Sequence, residues 1–574
     1  MLTRILPFLA WPRPTPESLR ADLIAGATVA LVGIPQALAY AQLAGIPAYY
    51  GLYAALLPCI IGALFGSSAQ LSTGPVALTS LLTAASVAPL AQTGSGHYVA
   101  YVVVLALLSG GLQLAFGLMR LGVLLNLLSH PVLMGFLNAA AILITLSQVP
   151  ELLGFSLRQG DHFLLDMWQG LHDSPDIHYL SLALGVCALA LLLAFRRFVP
   201  KAPGVLLAVA LLTWVSYAIG FAEHGGRVVG AIPQGLPRPV MPEIEWPIVR
   251  DLLPAAFVIA LISFMEAASS CKVIAAKTRA VWDENRELVG QGLAKIAAAA
   301  SGTMPVSGSF SRSALNLASG ARTGLASVAC AVFVLLTIAF LTPYLYHLPK
   351  SVLAAIVMLA LFGLINLRSF AKAWRASRDD GIAAAATFVA TLVFAPNIQN
   401  GILTGIILSL ALHLYRGMRP RIVTAGLHPD GTLRDAARFG LPPIHPRVRI
   451  IRIDASLTFV TASHFEEAVL KVERDSPRVQ FMLIAAGGMN ELDATGVELL
   501  RNLALRLKEN GITLALSAAK KQVLEVMERT GLAGLLGAEN IYPTDAAAVA
   551  GLRARCSEPD SAQDVAREPL ASRR

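Results

Sequence analysis

Through its first 420 residues the chain is a succession of apolar runs, most near twenty residues long, separated by short polar, Pro or Gly breaks. A helix rises 1.5 Å per residue, so about twenty apolar residues cross the hydrocarbon core of a bilayer. Such runs occupy 21–41, 46–66, 98–118, 123–148, 178–197, 203–221, 251–274, 285–302, 324–346, 351–366, 380–395 and 398–416. Two further apolar segments, 74–90 and 309–321, are shorter and rich in Gly and Ser. Counting them predicts fourteen spanning helices. Beyond residue 446 the pattern changes. Val448–Ile453, Val479–Ala485 and Ile512–Ser517 read as buried strands, with helical periodicity near 462–474, 494–509 and 520–531 between and after them. This is an α/β domain with short connections, and from about Cys556 the chain is polar and expected to be disordered.

Charge follows the same division. The 154 residues from Arg421 onward hold 20 basic and 19 acidic residues, a soluble density with almost no net charge. The first 420 carry 25 basic and 17 acidic residues, so nearly all of the net +9 lies in the apolar block. There the basic residues cluster between the runs, a pattern of membrane topology and not of nucleic-acid binding. With fourteen spans and the N-terminus inside, eighteen Lys and Arg fall on inward segments and five on outward loops. Both termini are therefore expected in the cytoplasm, with the inner membrane as location. The five cysteines have no paired spacing and read as small buried hydrophobes. No nucleophile–base pair, phosphate loop or metal spacing is present, so neither a cofactor nor an enzymatic reaction is expected.

The block repeats itself. Val29–Ala37 (VALVGIPQA) lies over Ile259–Ala267 (IALISFMEA) at an offset of 230 residues. This pairs the first helix with the eighth, and the two short segments then pair at a similar offset. A shift of seven spans is odd, so the second copy enters the membrane in the opposite sense. Inverted repeats with interrupted helices at matching positions mark secondary transporters, whose site lies near the midplane.

A helix that begins in mid-membrane points unpaired N–H groups and a positive dipole end at whatever precedes it. Gly74-Pro75 suits such a start, and Gly308, Ser309 and Ser311 suit the other. Arg312 adds a charge that is costly in lipid and expected to face the protein interior. An alternative stays open: Gly and Ser permit close helix packing, and Arg312 reaches out to the cytoplasmic surface. Glu266 is the one acid well inside its apolar run, and Gln36 occupies its place in the first copy. An intramembrane carboxylate points to proton or cation coupling; pairing with Arg312 or Lys295 is its structural alternative.

At these residues the sequence resembles the sulfate permease (SulP) family, bacterial relatives of the mammalian anion exchangers that include pendrin and prestin. The stretches that carry the resemblance are ADLIAGATVALVGIPQALAYAQLAGIPAYYGLYAALLP, FGSSAQLSTGPVAL and PVSGSFSRSALNLASGARTGLA. It implies a fourteen-helix, seven-plus-seven inverted repeat of the uracil-permease type with core and gate domains. It also implies a homodimer and an elevator-like shift of the core. Gln36, Tyr40, Phe310, Ser311 and Arg312 would surround the anion, Pro75, Val76 and Ala77 would supply the other helix end, and Glu266 would be the coupling acid. The C-terminal part resembles a STAS domain. In related regulators the turn LDATGVELL carries a phosphorylatable residue, here Thr495; alternatively Asp493 or Thr495 only caps the helix.

The expected organisation is a cytoplasmic N-terminus (1–20), a transport domain (21–420), a linker (421–446), the STAS domain (447–552) and a tail (553–574). The function expected is secondary active transport of an inorganic anion, sulfate or bicarbonate, with Glu266 pointing to proton coupling or to plain exchange. A nucleobase permease of the same fold is one alternative. A membrane sensor or scaffold whose STAS domain meets a cytoplasmic protein partner is another.

Overall fold

The computed structural model describes residues 7–123, 129–155, 163–172, 177–199, 203–233, 235, 245–362 and 365–557. It contains two compact units, Met1–Leu410 and Ala411–Arg574. Each of the fourteen predicted segments holds helix among its described residues. The first seven are α1 (Pro16–Leu43), α2 (Tyr50–Ala54 and Leu57–Phe65), α3 (Ala77–Val87), α4 (Gly96–Leu118), α5 (His130–Ser147 and Val149–Leu153), α6 (Tyr179–Phe198) and α7 (Gly204–Ala218). The second seven are α8 (Trp246–Thr278), α9 (Glu284–Ala300), α10 (Phe310–Ala318), α11 (Leu325–Leu336, continued through a π-turn to Leu345), α12 (Lys350–Phe362), α13 (Arg378–Val393) and α14 (Ile398–Met418).

Helix starts follow local chemistry. Thr15 and Ser18 form a reciprocal cap with Pro16 in the first turn of α1, so this helix begins inside the stretch expected as N-terminus. Asp283 caps α9 through the N–H groups of Asn285 and Arg286. Pro35 inside α1 removes one backbone bond just before Gln36.

Packing repeats with the sequence. Helix α1 packs on α11 and α8 on α4, a pair of contacts exchanged when the two copies are swapped. Likewise α5 packs on α13 and α12 on α6. One group thus comprises α1–α4 with α8–α11, the other α5–α7 with α12–α14. Glycines permit the tight contacts. A Cβ on Gly290 would come within 2.6 Å of the Gly66 backbone. Gly401 and Gly405, spaced as a packing motif, lie against Thr391 and Thr387.

The second unit is a six-stranded sheet in the order β4-β3-β5-β6-β7-β8. Its strands are β3 (Ile422–Leu427), β4 (Leu433–Asp435), β5 (Val448–Ile453), β6 (Phe481–Ala485), β7 (Thr513–Ser517) and β8 (Ile541–Tyr542). Strands β5 to β8 run parallel, β3 is antiparallel to β5, and helices cover both faces. On one face Ile451, Ile484, Phe465 and Leu503 form a core, and on the other Ile450, Leu483, Ala515 and Leu552 do. Alternate residues of β5 therefore serve opposite faces, as a strand buried on both sides requires. The stretch expected as a linker, 421–446, instead holds β3 and β4. Helical periodicity alone could not show that Ile422–Leu427 finds a partner edge in β5. The helix Asp545–Ser557 runs past the expected start of the tail at 553, and the rest of that tail lies outside the described residues.

Candidate functional site

The two short helices meet where the sequence breaks. An eleven-residue α3 and a nine-residue α10 are about 16 and 13 Å long at 1.5 Å per residue, each near half the hydrocarbon core. The residues before them pair as two short antiparallel strands, β1 (Thr73–Gly74) and β2 (Ser307–Gly308), with Thr73 opposite Gly308 and Gly74 opposite Ser307. Further bonds tie this crossing. The Ser309 amide donates to the Ser72 carbonyl at 2.9 Å, and the Ser72 amide donates to Ser313 Oγ at 2.8 Å. The Asn316 side chain donates to the Gln70 carbonyl at 3.1 Å. Non-helical backbone at membrane depth survives only when satisfied by protein, and these bonds satisfy it.

The two ends differ in their caps. Helix α3 follows Val76, whose side chain caps nothing. Helix α10 follows Ser309, whose Oγ accepts from the Arg312 amide at 3.4 Å. Gly308 is required by space: a Cβ there would lie 2.9 Å from both Ala267 Cβ and Leu71 Cδ1, next to Glu266 in sequence. Gly74 admits Arg312, whose Nη2 would be 3.2 Å from a Cβ at that position.

Arg312 is buried, with 5% of its surface exposed, and lies against Gly33 of α1 and Gly74. It does not reach out to the surface. A cavity of about 20 Å³, lined by Gly33, Cys59, Gly74, Pro75, Arg312 and Cys330 among others, lies beside it. That is room for about one water. Tyr40 is buried, and Tyr40, Glu266 and Arg312 are within electrostatic reach of one another. Among the described residues Gln36 Oε1, Glu266 Oε2 and Arg312 Nη2 are buried without hydrogen-bond partners. Neither Arg312 nor Lys295 forms a salt bridge with Glu266, although both act on it electrostatically. Pro75 and Val76 are buried and Ala77 is half-buried at the α3 start. Phe310 and Ser311 are exposed on the first turn of α10, Phe310 to 51%.

Two buried charges, Asp22 and Glu287, escaped the reading of the sequence, and a third, Lys295, entered it only as an alternative partner for Glu266. Asp22 accepts from the Arg322 amide at 2.6 Å and the Thr323 amide at 3.1 Å, holding the start of α11. Glu287 accepts from the amides of Ser67 at 2.8 Å and Ser68 at 3.1 Å, and from the side chain of Gln291. Glu287 lies in the first turn of α9 and Asp22 in the second turn of α1, near helix starts where polar residues read as solvated. Lys295, wholly buried, donates to Gln113 Oε1 of α4 at 2.7 Å. Its signal was an amine two residues before an alanine run, with no neighbour in sequence to explain it. Of the cysteines, Cys59, Cys271, Cys330 and Cys556 are buried and Cys187 is exposed.

In the C-terminal unit Asp493 is the cap of its helix (Ala494–Glu509). Its Oδ1 accepts from the Gly496 amide at 2.8 Å, and its Oδ2 accepts from the Phe459 amide at 2.8 Å. Thr495 is exposed in the first turn.

Comparison with known proteins adds a second line of evidence. The profile of the sulfate permease family matches residues 19–387 and that of the STAS domain residues 442–548. A probable sulfate transporter of Mycobacterium tuberculosis is 33% identical over 94% of this chain and 96% of its own. The chloroplastic sulfate transporter 4.1 of Arabidopsis thaliana is 33% identical over 91% of this chain and 78% of its own. The structure of the murine Slc26a9 anion transporter superposes with a TM-score of 0.89 over 96% of this chain and 94% of its own, at 21% identity. The transmembrane domain of the cyanobacterial bicarbonate transporter BicA gives 0.59 over 69% and 98%, at 25% identity.

Proposed function

This chain belongs to the sulfate permease family, and from that premise we propose that it carries an inorganic oxyanion, sulfate or bicarbonate, across the bacterial inner membrane. The observation that carries the proposal is the crossing of α3 and α10. Two helix N-termini and one buried guanidinium converge there, all of them donors and none an acceptor. Such a place favours an anion and disfavours a cation. An uncharged nucleobase would bring no charge to match the Arg312 guanidinium.

Gln36, Tyr40, Pro75, Val76, Ala77, Phe310, Ser311 and Arg312 form the anion site in this reading. Glu266 couples its movement to a proton. The group α1–α4 with α8–α11 carries the site as it shifts, elevator-like, against the group α5–α7 with α12–α14, in a homodimer with both termini in the cytoplasm. The excess of inward Lys and Arg supports that orientation. The C-terminal unit meets a cytoplasmic partner, and exposed Thr495 is its candidate for phosphorylation.

The test is uptake of labelled sulfate, bicarbonate, chloride and fumarate into proteoliposomes, with pH and sodium gradients imposed separately. The expected result is saturable uptake of one inorganic anion that rises with an inward proton gradient and ignores sodium. Absence of flux for all four, with the C-terminal unit still binding a partner, would replace transport by a sensor function.

A further inference from the structure

Lys295 is buried outright on α9, and its one hydrogen bond is to a neutral group, Gln113 Oε1, at 2.7 Å. Gln113 passes the contact on to α8. Its Nε2 donates to the Ala260 carbonyl at 2.7 Å and to Ser263 Oγ at 3.2 Å. The Ser263 carbonyl in turn accepts from Ser307 Oγ of β2 at 2.8 Å. Ser263 is one helical turn before Glu266, so the two share a face of α8. The amine is thus joined by one amide to the helix that bears Glu266 and to the strand that leads into Arg312.

This placement is tightly enforced. A Cβ on Gly110 of α4 would lie 2.8 Å from Lys295 Cβ, and one on Gly292 would lie 2.6 Å from the Leu114 amide nitrogen. The glycines bring α4 and α9 together around the lysine stem, which cannot snorkel to a surface. A buried ammonium without a paired carboxylate is costly, and the carboxylate within electrostatic reach of it is Glu266.

The other charges around Glu266 are few. The elements packed on α8 are α3, α4, α9, α10 and β2. Helix α3 and strand β2 contain no charged residue, and α4 has only His97, Tyr98 and Tyr101, in its first two turns. From α10 comes Arg312, and from α1, within reach, comes Tyr40. On α9, Glu284 and Arg286 lie in the first turn, with Glu284 paired to Lys272 at 3.4 Å, and Glu287 is bound to the Ser67 and Ser68 amides. At the ends of α8 itself are Arg250, Asp251, Lys272 and Lys277.

We propose that Lys295 is a specificity-determining cation of the transport site: with Arg312 it sets two positive charges against the single carboxylate of Glu266. The inference rests on the anion-transport reading above and deepens it. With Glu266 ionised the three groups carry one net positive charge, which a monovalent anion neutralises without a proton. With Glu266 protonated they carry two, which a divalent oxyanion neutralises. One proton therefore accompanies each divalent anion and none accompanies a monovalent one. Lys295 acts through charge and through Gln113; it is a positioning residue and does not touch the anion.

The test uses the full-length protein in proteoliposomes, with labelled sulfate as divalent probe and labelled bicarbonate and chloride as monovalent ones, each with and without an inward proton gradient. In Lys295→Met, sulfate uptake should fall about tenfold or more relative to monovalent uptake, since one unmatched charge is left. Monovalent uptake should become dependent on the proton gradient, because only Arg312 now opposes Glu266. In Lys295→Met/Glu266→Gln, monovalent uptake should lose that dependence again. Lys295→Arg should keep the wild-type ratio. An unchanged sulfate-to-monovalent ratio and pH profile in Lys295→Met would overturn the proposal. So would an equal fall for all probes that the double variant does not reshape, which is the signature of a merely structural lysine. If Lys295→Met does not yield monodisperse protein, Lys295→Gln retains a hydrogen bond to Gln113 and carries the same expectations. A wild-type protein that moves no anion would overturn the transport reading itself, a result distinct from all of these.

Discussion

The two halves of the membrane unit share a fold and divide the chemistry. In the first repeat, α2 and α3 contain no charged residue, and the charges of α1 lie in its opening turns. In the second, the equivalent helices bury Lys295 and Arg312, and Glu266 stands where the first has Gln36. The caps diverge in the same way, Val76 on one side and Ser309 on the other. A helix end supplies its dipole whatever its sequence, because the donors are backbone amides. In the proposed reading the first repeat can therefore remain apolar and still contribute half of an anion site, and the second adds the fixed and titratable charges that would decide which anion is matched and with how many protons.

The comparison is open to experiment, and the largest effect should come from Arg312→Ala. Removing the one cation at the crossing should lower anion uptake about a hundredfold or more, as loss of a preorganised electrostatic donor does. Retained size-exclusion behaviour and helical circular dichroism would separate this from misfolding, and undiminished flux would remove Arg312 from the site. Next in size is Glu266→Gln, which should abolish accumulation driven by a proton gradient while leaving sulfate–sulfate exchange in place. A smaller effect is expected in the first repeat from Gly74→Ala. Its new Cβ would stand 3.2 Å from Arg312 Nη2, and the displaced guanidinium should raise the KM for anion about tenfold at unchanged protein stability. The smallest is Ser309→Ala. Loss of its cap should lower stability by about 1 kcal/mol, read as a small fall in Tm, with uptake reduced less than threefold. If Val76→Ala weakened transport as much as Ser309→Ala, the two caps would not differ in role.

Much of this was legible from hydrophobic spacing. The C-terminal helices 462–474 and 494–509 and the strand Val448–Ile453 have the bounds that periodicity implies. The short, Gly- and Ser-rich segments 74–90 and 309–321 also announced themselves, since neither reaches the length of about twenty residues that spans a bilayer. Where polar residues sit at helix ends, the pattern misled. Asp22 and Glu287 look like solvated acids near helix starts, yet each is buried against backbone amides from a loop more than two hundred residues away. Strand β3 was missed for a related reason, because its partner β5 lies beyond an intervening hairpin and turn. Lys295 was visible only as an alternative partner for Glu266, and its hydrogen bond goes instead to Gln113.

The sequence by itself determined the number and order of spanning segments, the division into membrane and α/β parts, and the family. These depend on local composition: apolar length against bilayer thickness, strand alternation, and motifs read in a row. Only the tertiary structure decided which charges meet. The pairing of β1 with β2, the approach of Arg312 to Gly74 and the bridge from Lys295 through Gln113 to α8 each join residues well over a hundred positions apart. No local rule reaches that far. Whether a buried charge is neutralised depends on what lies within a few ångströms of it, which the packing of helices sets and the order of residues does not.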